Sequence, residues 1–547
     1  MSALDLALVV AFLAGLVVLA GWLARHQHTS EDYFLGGRQL AAWALGLSLA
    51  ANQVSAISLV GAPAFVALRQ GGGLIWLQYE LAVPLAMAGL ILWGVPVLRR
   101  ARGADVYSAV ESRLGTGTRR LLAAFFLLGR GLGAGVVLYT SALVVEALTG
   151  WGLHGSLLLV GLVTLAYTAL GGLVADVFSD VLQLALLWGG TLVAVGVLAV
   201  HLERGPGLLA GIDRGRLVPM HLGGHGLGDG ETFAFLPMLV GGFFLYLSYY
   251  GCDQTQAQRI LAAHTPTDAR KALAVAAAVR FPLVATYCFF GVLLATLVAT
   301  DTGFAADLTG RPPDALVPVF LVRYLPSGVL GIAVSGILAA ALSSLDSALN
   351  SLSAVTLEEF SVQRAEGGGS AAATERKRSV LWGPRALTVA WGVWATLSGL
   401  AFSRAGETVI EVINRVGSVF YGSILGVFVL AWRARRATGR WAVAGALAGV
   451  GINVSLWVAA PGVSWLWWNV VGFAITVLAG EAGPALFRSG GRDPSGSGRR
   501  REPVHSGDSG RRTTDPADSG RRRLAWLMLG EFVLILGLLT WLTLRTT

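Results

Sequence analysis

The sequence is short of charge, lysine and cysteine, and each shortage excludes a class of protein. Charged residues make up 13% of its 547 positions, against about 25% in soluble globular proteins. Its two lysines, Lys271 and Lys377, both follow arginine, so the Gly-Lys-Ser/Thr loop of a nucleotide-driven pump is absent. Its two cysteines, Cys252 and Cys288, lie in apolar stretches and predict neither a disulfide framework nor a metal site.

Motifs of hydrolytic enzymes are missing as well. The sequence contains no His-Glu-x-x-His helix and no Gly-x-Ser-x-Gly elbow. Nothing else in it supplies a nucleophile together with a base. We therefore expect a protein that is not an enzyme and that needs no organic cofactor.

Long apolar stretches are abundant. Hydrophobic residues make up 54% of the chain, and the mean hydropathy is +0.65. About 20 apolar residues span the hydrocarbon core of a bilayer, and about fourteen stretches meet that length. They lie near 3–24, 42–66, 74–97, 119–148, 155–171, 175–200, 233–251, 272–299, 318–360, 386–404, 408–432, 441–460, 464–484 and 524–544.

The basic residues predict the orientation of these stretches. Short-loop clusters occur at 99–102, 113–120, 376–378 and 433–440. With fourteen crossings all four fall on one side, which the positive-inside rule assigns to the cytoplasm. We expect a multi-pass protein of the plasma (inner) membrane, in contact with the lipid bilayer and with both termini extracytoplasmic.

The net charge of +9 arises largely from segment 485–523, which is rich in Arg, Gly and Ser. Such a composition predicts a disordered cytoplasmic loop. An anionic-lipid contact is open for this loop. We expect no nucleic-acid partner and see no sign of an obligatory protein partner.

Polar residues interrupt the second apolar stretch near its middle. Asn52, Gln53, Ser55 and Ser58 cluster there, and polar groups at membrane depth are costly and usually functional. An unwound helix would leave backbone carbonyls free to bind a cation. The alternative is that the amides only form hydrogen bonds between helices.

A second polar cluster lies within 339–351. Ser343, Ser347 and Asn350 have helical i, i+4, i+7 spacing, and Asp346 lies beside them. Hydroxyls and carbonyls are hard oxygen ligands that suit a small cation. Serines can instead bond back to their own helix, which does not account for the carboxylate.

A third feature is the segment 167–183. A glycine pair at 171–172 predicts a tight turn between two crossings. Asp180 then lies about two turns into the next helix, where a cation or a proton should neutralise it.

Several motifs together resemble the sodium:solute symporter family, and the resemblance covers nearly the whole chain. They are Asp32–Arg38 with Trp43, Gly46, Ser48 and Leu49; Tyr167–Gln183; Ser248–Arg259; and Gly417–Gly422. Within that family the sequence is most similar to the branch of monocarboxylate, iodide, multivitamin and sialic-acid carriers. The resemblance implies a small-molecule substrate and a co-transported sodium ion.

The resemblance also implies an all-α membrane fold with a leucine-transporter-type core of two inverted five-helix repeats. The repeats would span 42–200 and 233–432, separated by an extracellular loop at 201–232. An extra helix and cytoplasmic loop at 1–41 would precede them. Peripheral helices at 433–484, the loop at 485–523 and a last transmembrane helix at 524–547 would follow.

Site residues follow from matching the family's motifs. The shared sodium site would use Ala51, Val54, Ala340, Ser343 and Ser344. A second sodium would use Asp180, Ser344 and Ser347, to which Asp346 could add. The substrate would contact Gln53, Ser55, Ser58, Arg130 and Tyr249, with Tyr249 as an inner gate.

Arg130 points to the substrate class. Arginine suits bidentate binding of a carboxylate, and the similar sialic-acid carriers use an arginine on this helix. A salt bridge from Arg130 to Glu80, Glu146 or Glu411 is the structural alternative. For Arg280 and Arg415, near probable helix ends, we expect snorkelling or pairing.

The predicted function is sodium-coupled import of a small organic solute by alternating access, with a carboxylate-bearing anion favoured. One alternative is the same fold carrying a neutral solute or an amino acid. The other is a solute-gated sensor or channel.

Overall fold

The computed structural model of the chain describes residues 2–24, 34–53, 56–99, 105–367, 382–402, 409–434, 436–486 and 516–546. These residues are mainly helical, and their β-pairing is limited to two isolated bridges. The α-helices are α1 (Ala3–Ala24), α2 (Ala42–Gln53), α3 (Ala56–Ala67), α4 (Ala82–Gly89), α5 (Val95–Leu98), α6 (Ser108–Leu114), α7 (Thr116–Thr149), α8 (Leu153–Glu203), α9 (Gly242–Cys252), α10 (Gln254–Leu261), α11 (Pro266–Thr300), α12 (Thr302–Leu308), α13 (Leu316–Tyr324), α14 (Val329–Gly367), α15 (Trp382–Phe402), α16 (Val409–Arg433), α17 (Gly439–Ala459), α18 (Trp465–Leu486) and α19 (Pro516–Thr546).

The helices confirm a multi-pass membrane architecture. Nine helices among the described residues are long and apolar enough to cross a bilayer, or up to ten if the bent pair α2–α3 is one crossing. Each of the fourteen predicted stretches contains helix within those residues. The apolar parts of α1 and of the first half of α8 are shorter, at Ala3–Gly15 and Leu153–Leu165. The count of fourteen crossings therefore stays a prediction.

The second predicted stretch is bent at its polar cluster. Helix α2 ends at Gln53 and α3 begins at Ala56, with a bend of 48° between them. The Ser58 hydroxyl donates a hydrogen bond to the Gln53 carbonyl oxygen at 3.4 Å, which gives this helix-end carbonyl a side-chain donor. Val54 and Ser55, which carry one predicted cation ligand and one predicted substrate contact, lie outside the described residues.

Helix α8 holds two apolar segments where two separate helices are predicted. It has 51 residues and would be about 76 Å long if straight. Val163 packs against Leu342, while Asp180 accepts a hydrogen bond from the adjacent Ser343. Because a straight helix would separate residues 163 and 180 by about 26 Å, α8 must bend between them. The interval between residues 163 and 180 contains the predicted turn at 171–172, and the backbone stays helical across it.

Two helix boundaries differ from the sequence prediction. The stretch near 318–360 is divided between α13 and α14, because Pro326 cannot continue the first helix and Gly328 has a φ of +87°. The described part of the last helix extends back to Pro516, before the predicted start near 524.

Candidate functional site

A cavity of about 100 Å³ lies at the centre of the helical core. The interrupted pair α2–α3 contributes to its wall, together with α7, α9, α11, α14 and α16. Its polar lining comprises Asn52, Gln53, Ser58, Tyr79, Arg130, Tyr246, Tyr249, Arg280, Tyr287, Ser344, Asn414 and Tyr421. The structure thus brings together four of the five predicted substrate residues, and the fifth, Ser55, lies outside the described residues.

The cavity wall is rich in hydrogen-bond donors that have no partner among the described residues. These donors include Asn52 Nδ2, Arg130 Nε, Arg280 Nη1, Tyr287 Oη and Ser344 Oγ. A buried donor left without an acceptor costs about 1–3 kcal/mol. The lining therefore suits an occupant that carries acceptors, such as an anion.

Arg130 is positioned by contacts with Asn52 and Tyr249 and forms no salt bridge among the described residues. Its Nη2 donates to Asn52 Oδ1 at 3.3 Å, and its guanidinium carbon lies 5.8 Å from the centre of the Tyr249 ring. Within the described part of the chain, no carboxylate lies within salt-bridge distance of this guanidinium. The cation is therefore available to a ligand in the cavity.

Two of the three carboxylates considered as partners of Arg130 bind other arginines. Glu80 pairs with Arg280, with Nε–Oε2 and Nη2–Oε1 distances of 2.7 and 3.0 Å. Glu411 pairs with Arg69 at 2.7 Å. Arg280 is the fifteenth residue of α11 and 6% exposed. The expected pairing of Arg280 is present, but its expected place near a helix end is wrong.

Tyr249 closes one side of the cavity and is held in place by its neighbours. Its hydroxyl accepts a hydrogen bond from Gln256 Nε2 at 2.9 Å. Its ring packs edge-on against Tyr250 and Tyr421, at centroid distances of 5.4 and 6.0 Å. Helix α9 ends at Cys252. Asp253 is the N-cap of the next helix, α10, and its side chain accepts a hydrogen bond from the Thr255 N–H.

A buried charged cluster lies beside the cavity. Arg259 Nη2 donates to Asp176 Oδ2 and Asp180 Oδ2, both at 2.8 Å, and to Ser347 Oγ at 2.6 Å. Arg259 Nε donates to Ser48 Oγ at 2.6 Å. If both aspartates are ionised, the cluster has a formal charge of −1. Buried charge of this kind is stable only when it is paired or when it coordinates an ion.

Of the predicted shared cation ligands, Ser343 contacts this cluster and Ser344 lines the cavity, while Val54 lies outside the described residues. Ser343 donates to Asp180 Oδ1, while Ser344 lines the cavity. Ala340 lies three residues before Ser343 in α14, and Ala51 lies three residues after Ser48 in α2. Ala51, Ala340 and both serines are buried.

The structure divides the set predicted for a second cation. Asp180 and Ser347 are engaged by Arg259, whereas Ser344 is on the cavity side. Asp346 is buried in the same helix, but the described hydrogen bonds to Asp180 come from Ser48, Ser343 and Arg259. In this structure Asp180 shares the Arg259 guanidinium with Asp176.

Sequence reasoning missed the roles of Arg259, Asp176 and Tyr421. Asp176 lies within the motif Tyr167–Gln183 and Arg259 ends the motif Ser248–Arg259. Nothing in the local sequence indicates that the two residues pair. A charged residue in a membrane protein is expected to have a partner, and that rule could have prompted a search for one.

Comparisons with known proteins agree with this architecture. A model described as the sodium:solute symporter family matches residues 33–449. The human sodium/iodide cotransporter is 28% identical over 461 residues, which are 83% of this chain and 68% of that protein. The sodium-coupled monocarboxylate transporter 1 of Xenopus laevis is 28% identical over 79% of this chain and 67% of its own length.

Solved structures share the fold. A sodium-coupled sialic acid symporter in a substrate-bound, outward-open state aligns with a TM-score of 0.76 at 20% identity, covering 89% of this chain and 98% of that one. A nucleobase-cation-symport-1 family transporter aligns with a TM-score of 0.50 at 15% identity, covering 83% and 94%. The likeness is one of fold.

Proposed function

This chain belongs to the sodium:solute symporter family, and from that membership we propose that it imports a small carboxylate-bearing anion together with sodium. It is a multi-pass membrane transporter and not an enzyme. The solute, the coupling sites and the orientation described below are parts of the proposal.

The single observation that carries the choice of solute is Arg130. It lines the cavity and has no salt-bridge partner among the described residues. A guanidinium at membrane depth is costly without an anion, and its planar fork matches a carboxylate. The unpartnered donors around it supply further hydrogen bonds to an anionic solute.

The size of the cavity limits the solute to a few heavy atoms. A cavity of about 150 Å³ holds a benzene molecule, and this one measures about 100 Å³. A monocarboxylate of two to four carbons is of suitable size. A carboxylated sugar would require the cavity to open further, so we favour the smaller acid.

We place the coupled sodium at Ala51, Val54, Ala340, Ser343 and Ser344. The buried Ser344 hydroxyl has no hydrogen-bond partner among the described residues, and hydroxyl and carbonyl oxygens suit a hard cation. The formal charge of −1 around Asp180 favours a cation nearby. A second sodium at Asp180, Ser344, Asp346 and Ser347 would require Arg259 to move away.

A monovalent inorganic anion is the second candidate solute. One relative is named a sodium/iodide cotransporter, and a small cavity lined by donors also fits a halide-sized ion. We further propose that the protein lies in the plasma (inner) membrane with both termini extracytoplasmic.

Uptake into proteoliposomes tests the proposal. The purified protein is reconstituted, and an inward sodium gradient is imposed with lactate, pyruvate, acetate, sialic acid, iodide, proline or a hexose outside. We expect sodium-dependent accumulation of a short-chain acid. Accumulation of iodide alone would favour the second candidate. Uptake of only proline or the hexose would contradict an anionic solute, and ion current without solute accumulation would indicate a channel.

A further inference from the structure

Arg130 lies between two cavities. Besides the central cavity, a void of about 10 Å³ lies next to it, close to the smallest volume that can hold one water molecule. Arg130 and Tyr421 line both spaces, whereas Tyr249 lines only the central one. The void also contacts Asp253, at the break between α9 and α10.

Asp253 is a buried carboxylate that forms no salt bridge among the described residues. It is 3% exposed, and no Lys, Arg or His in the described part of the chain lies within salt-bridge distance of it. One carboxylate oxygen accepts the Thr255 N–H at 2.9 Å. Among the described residues, the other oxygen accepts one long hydrogen bond, 3.4 Å, from the Tyr421 hydroxyl.

Arg130 and Asp253, neither of which forms a salt bridge among the described residues, therefore line one void. A buried guanidinium and a buried carboxylate are each unfavourable alone and favourable together. A long arginine side chain can reach a neighbouring partner through a change of rotamer. A solute carboxylate in the central cavity would hold the Arg130 head on the cavity side.

We propose that Asp253 is the internal counter-ion of Arg130 and that its carboxylate pairs with the guanidinium when the solute leaves. This inference rests on the proposed function, since it assumes an anionic solute at Arg130. Competition from Asp253 weakens solute binding and speeds its release. It also keeps the Arg130 charge paired while the empty carrier returns to the state that binds the next solute.

The variant Asp253→Asn isolates the charge from the structural role of this residue. Asparagine begins helices as well as aspartate does, so the bond to the Thr255 N–H can be kept. We expect the variant to bind the solute about tenfold more tightly, as expected when a competing buried charge is removed. Net uptake should slow because the empty carrier returns less readily, whereas solute exchange across the membrane should persist.

The test compares net sodium-driven lactate uptake, lactate exchange and lactate binding in the wild type, Asp253→Asn and Asp301→Asn. The control Asp301→Asn makes the same change at the aspartate that begins α12 and lines neither cavity, so its ratio of exchange to net uptake should match the wild type. An unchanged ratio and affinity in Asp253→Asn would overturn the inference, and so would a parallel loss of both rates. If the wild type moves no anion at all, the proposed function itself has failed, which is a distinguishable result.

Discussion

Ser343 and Ser344 are adjacent in α14 but serve two different polar sites. The Ser343 hydroxyl donates a hydrogen bond to the Asp180 carboxylate, whereas the Ser344 hydroxyl lines the central cavity without a hydrogen-bond partner among the described residues. Consecutive residues of an α-helix differ by about 100° in direction, so α14 presents one serine to each site. A cation bound by both hydroxyls would lie between the charged cluster and the solute.

Replacing Ser344 by alanine should weaken sodium coupling. Loss of one hard oxygen ligand is expected to raise the sodium concentration for half-maximal uptake by about tenfold or more, a change of about 1.4 kcal/mol. Ser351→Ala is the matched control, because Ser351 is a buried serine of the same helix that bonds to Gln258 instead. Equal sodium dependence in Ser344→Ala and the wild type would remove Ser344 from the site.

Arg130→Ala should abolish binding of the acid while sodium binding persists. Truncating one partner of a buried charge pair costs about 2–5 kcal/mol. Arg130→Lys keeps the charge but loses the bidentate geometry, so we expect an intermediate affinity. Calorimetric titration of each purified variant with the acid measures the effect. Unchanged affinity in Arg130→Ala would mean that the arginine does not contact the solute.

The Arg259 cluster should be important for stability. Removing one member of a buried ion pair costs about 3–5 kcal/mol, so Arg259→Ala should melt at a markedly lower temperature in detergent. Arg323→Ala is the control, because this arginine is 38% exposed and pairs with Asp307 at the surface, where solvent screening leaves such pairs with little effect on stability. Similar losses in the two variants would argue against a special role for the cluster.

Asp314 should make stability depend on pH. It lies in the connection before α13, accepts the Val409 N–H at 3.0 Å, and burial raises its pKa from 3.8 to about 7. The nearby Glu411 acts in the same direction. Between these two pH values the folded chain binds more protons at Asp314 than the unfolded chain does, so this residue's contribution to stability falls as pH rises from about 4 to 7.

The variant Asp314→Asn removes that dependence and keeps an acceptor for the Val409 N–H. Its melting temperature should exceed that of the wild type at pH 8, and the difference should shrink towards pH 5. Thermal unfolding followed at both pH values measures this. A constant difference across the range would show that ionisation of Asp314 is not the cause.

Local patterns in the sequence predicted the parts of the molecule that depend on nearby residues. Apolar length located the helices, and the polar cluster at Asn52 and Gln53 marks the place where α2 and α3 are bent relative to each other. Resemblance to a family predicted Gln53, Ser58, Arg130 and Tyr249 as substrate contacts, and the structure places all four around one cavity.

Long-range pairing was beyond such reasoning. Arg259 and Asp176 are 83 positions apart, and Arg280 and Glu80 are 200 apart. No periodicity links residues at such separations, because the packing of distant helices decides which charges meet. The break between α13 and α14 was not predicted for a different reason. The apolar composition near 318–360 indicates one long stretch, although Pro326 lies within it.

The most direct test of sodium-coupled carriage of a small acid is the linkage between the two ligands. The dissociation constant of the acid is measured for the purified protein in sodium and in choline, and again for Ser344→Ala and Arg130→Ala. We expect sodium to tighten binding by a factor of about 5–150, a usual range for coupled sites. The effect should shrink in Ser344→Ala, and acid binding should be lost in Arg130→Ala. Equal affinity for the acid in sodium and in choline would contradict the account.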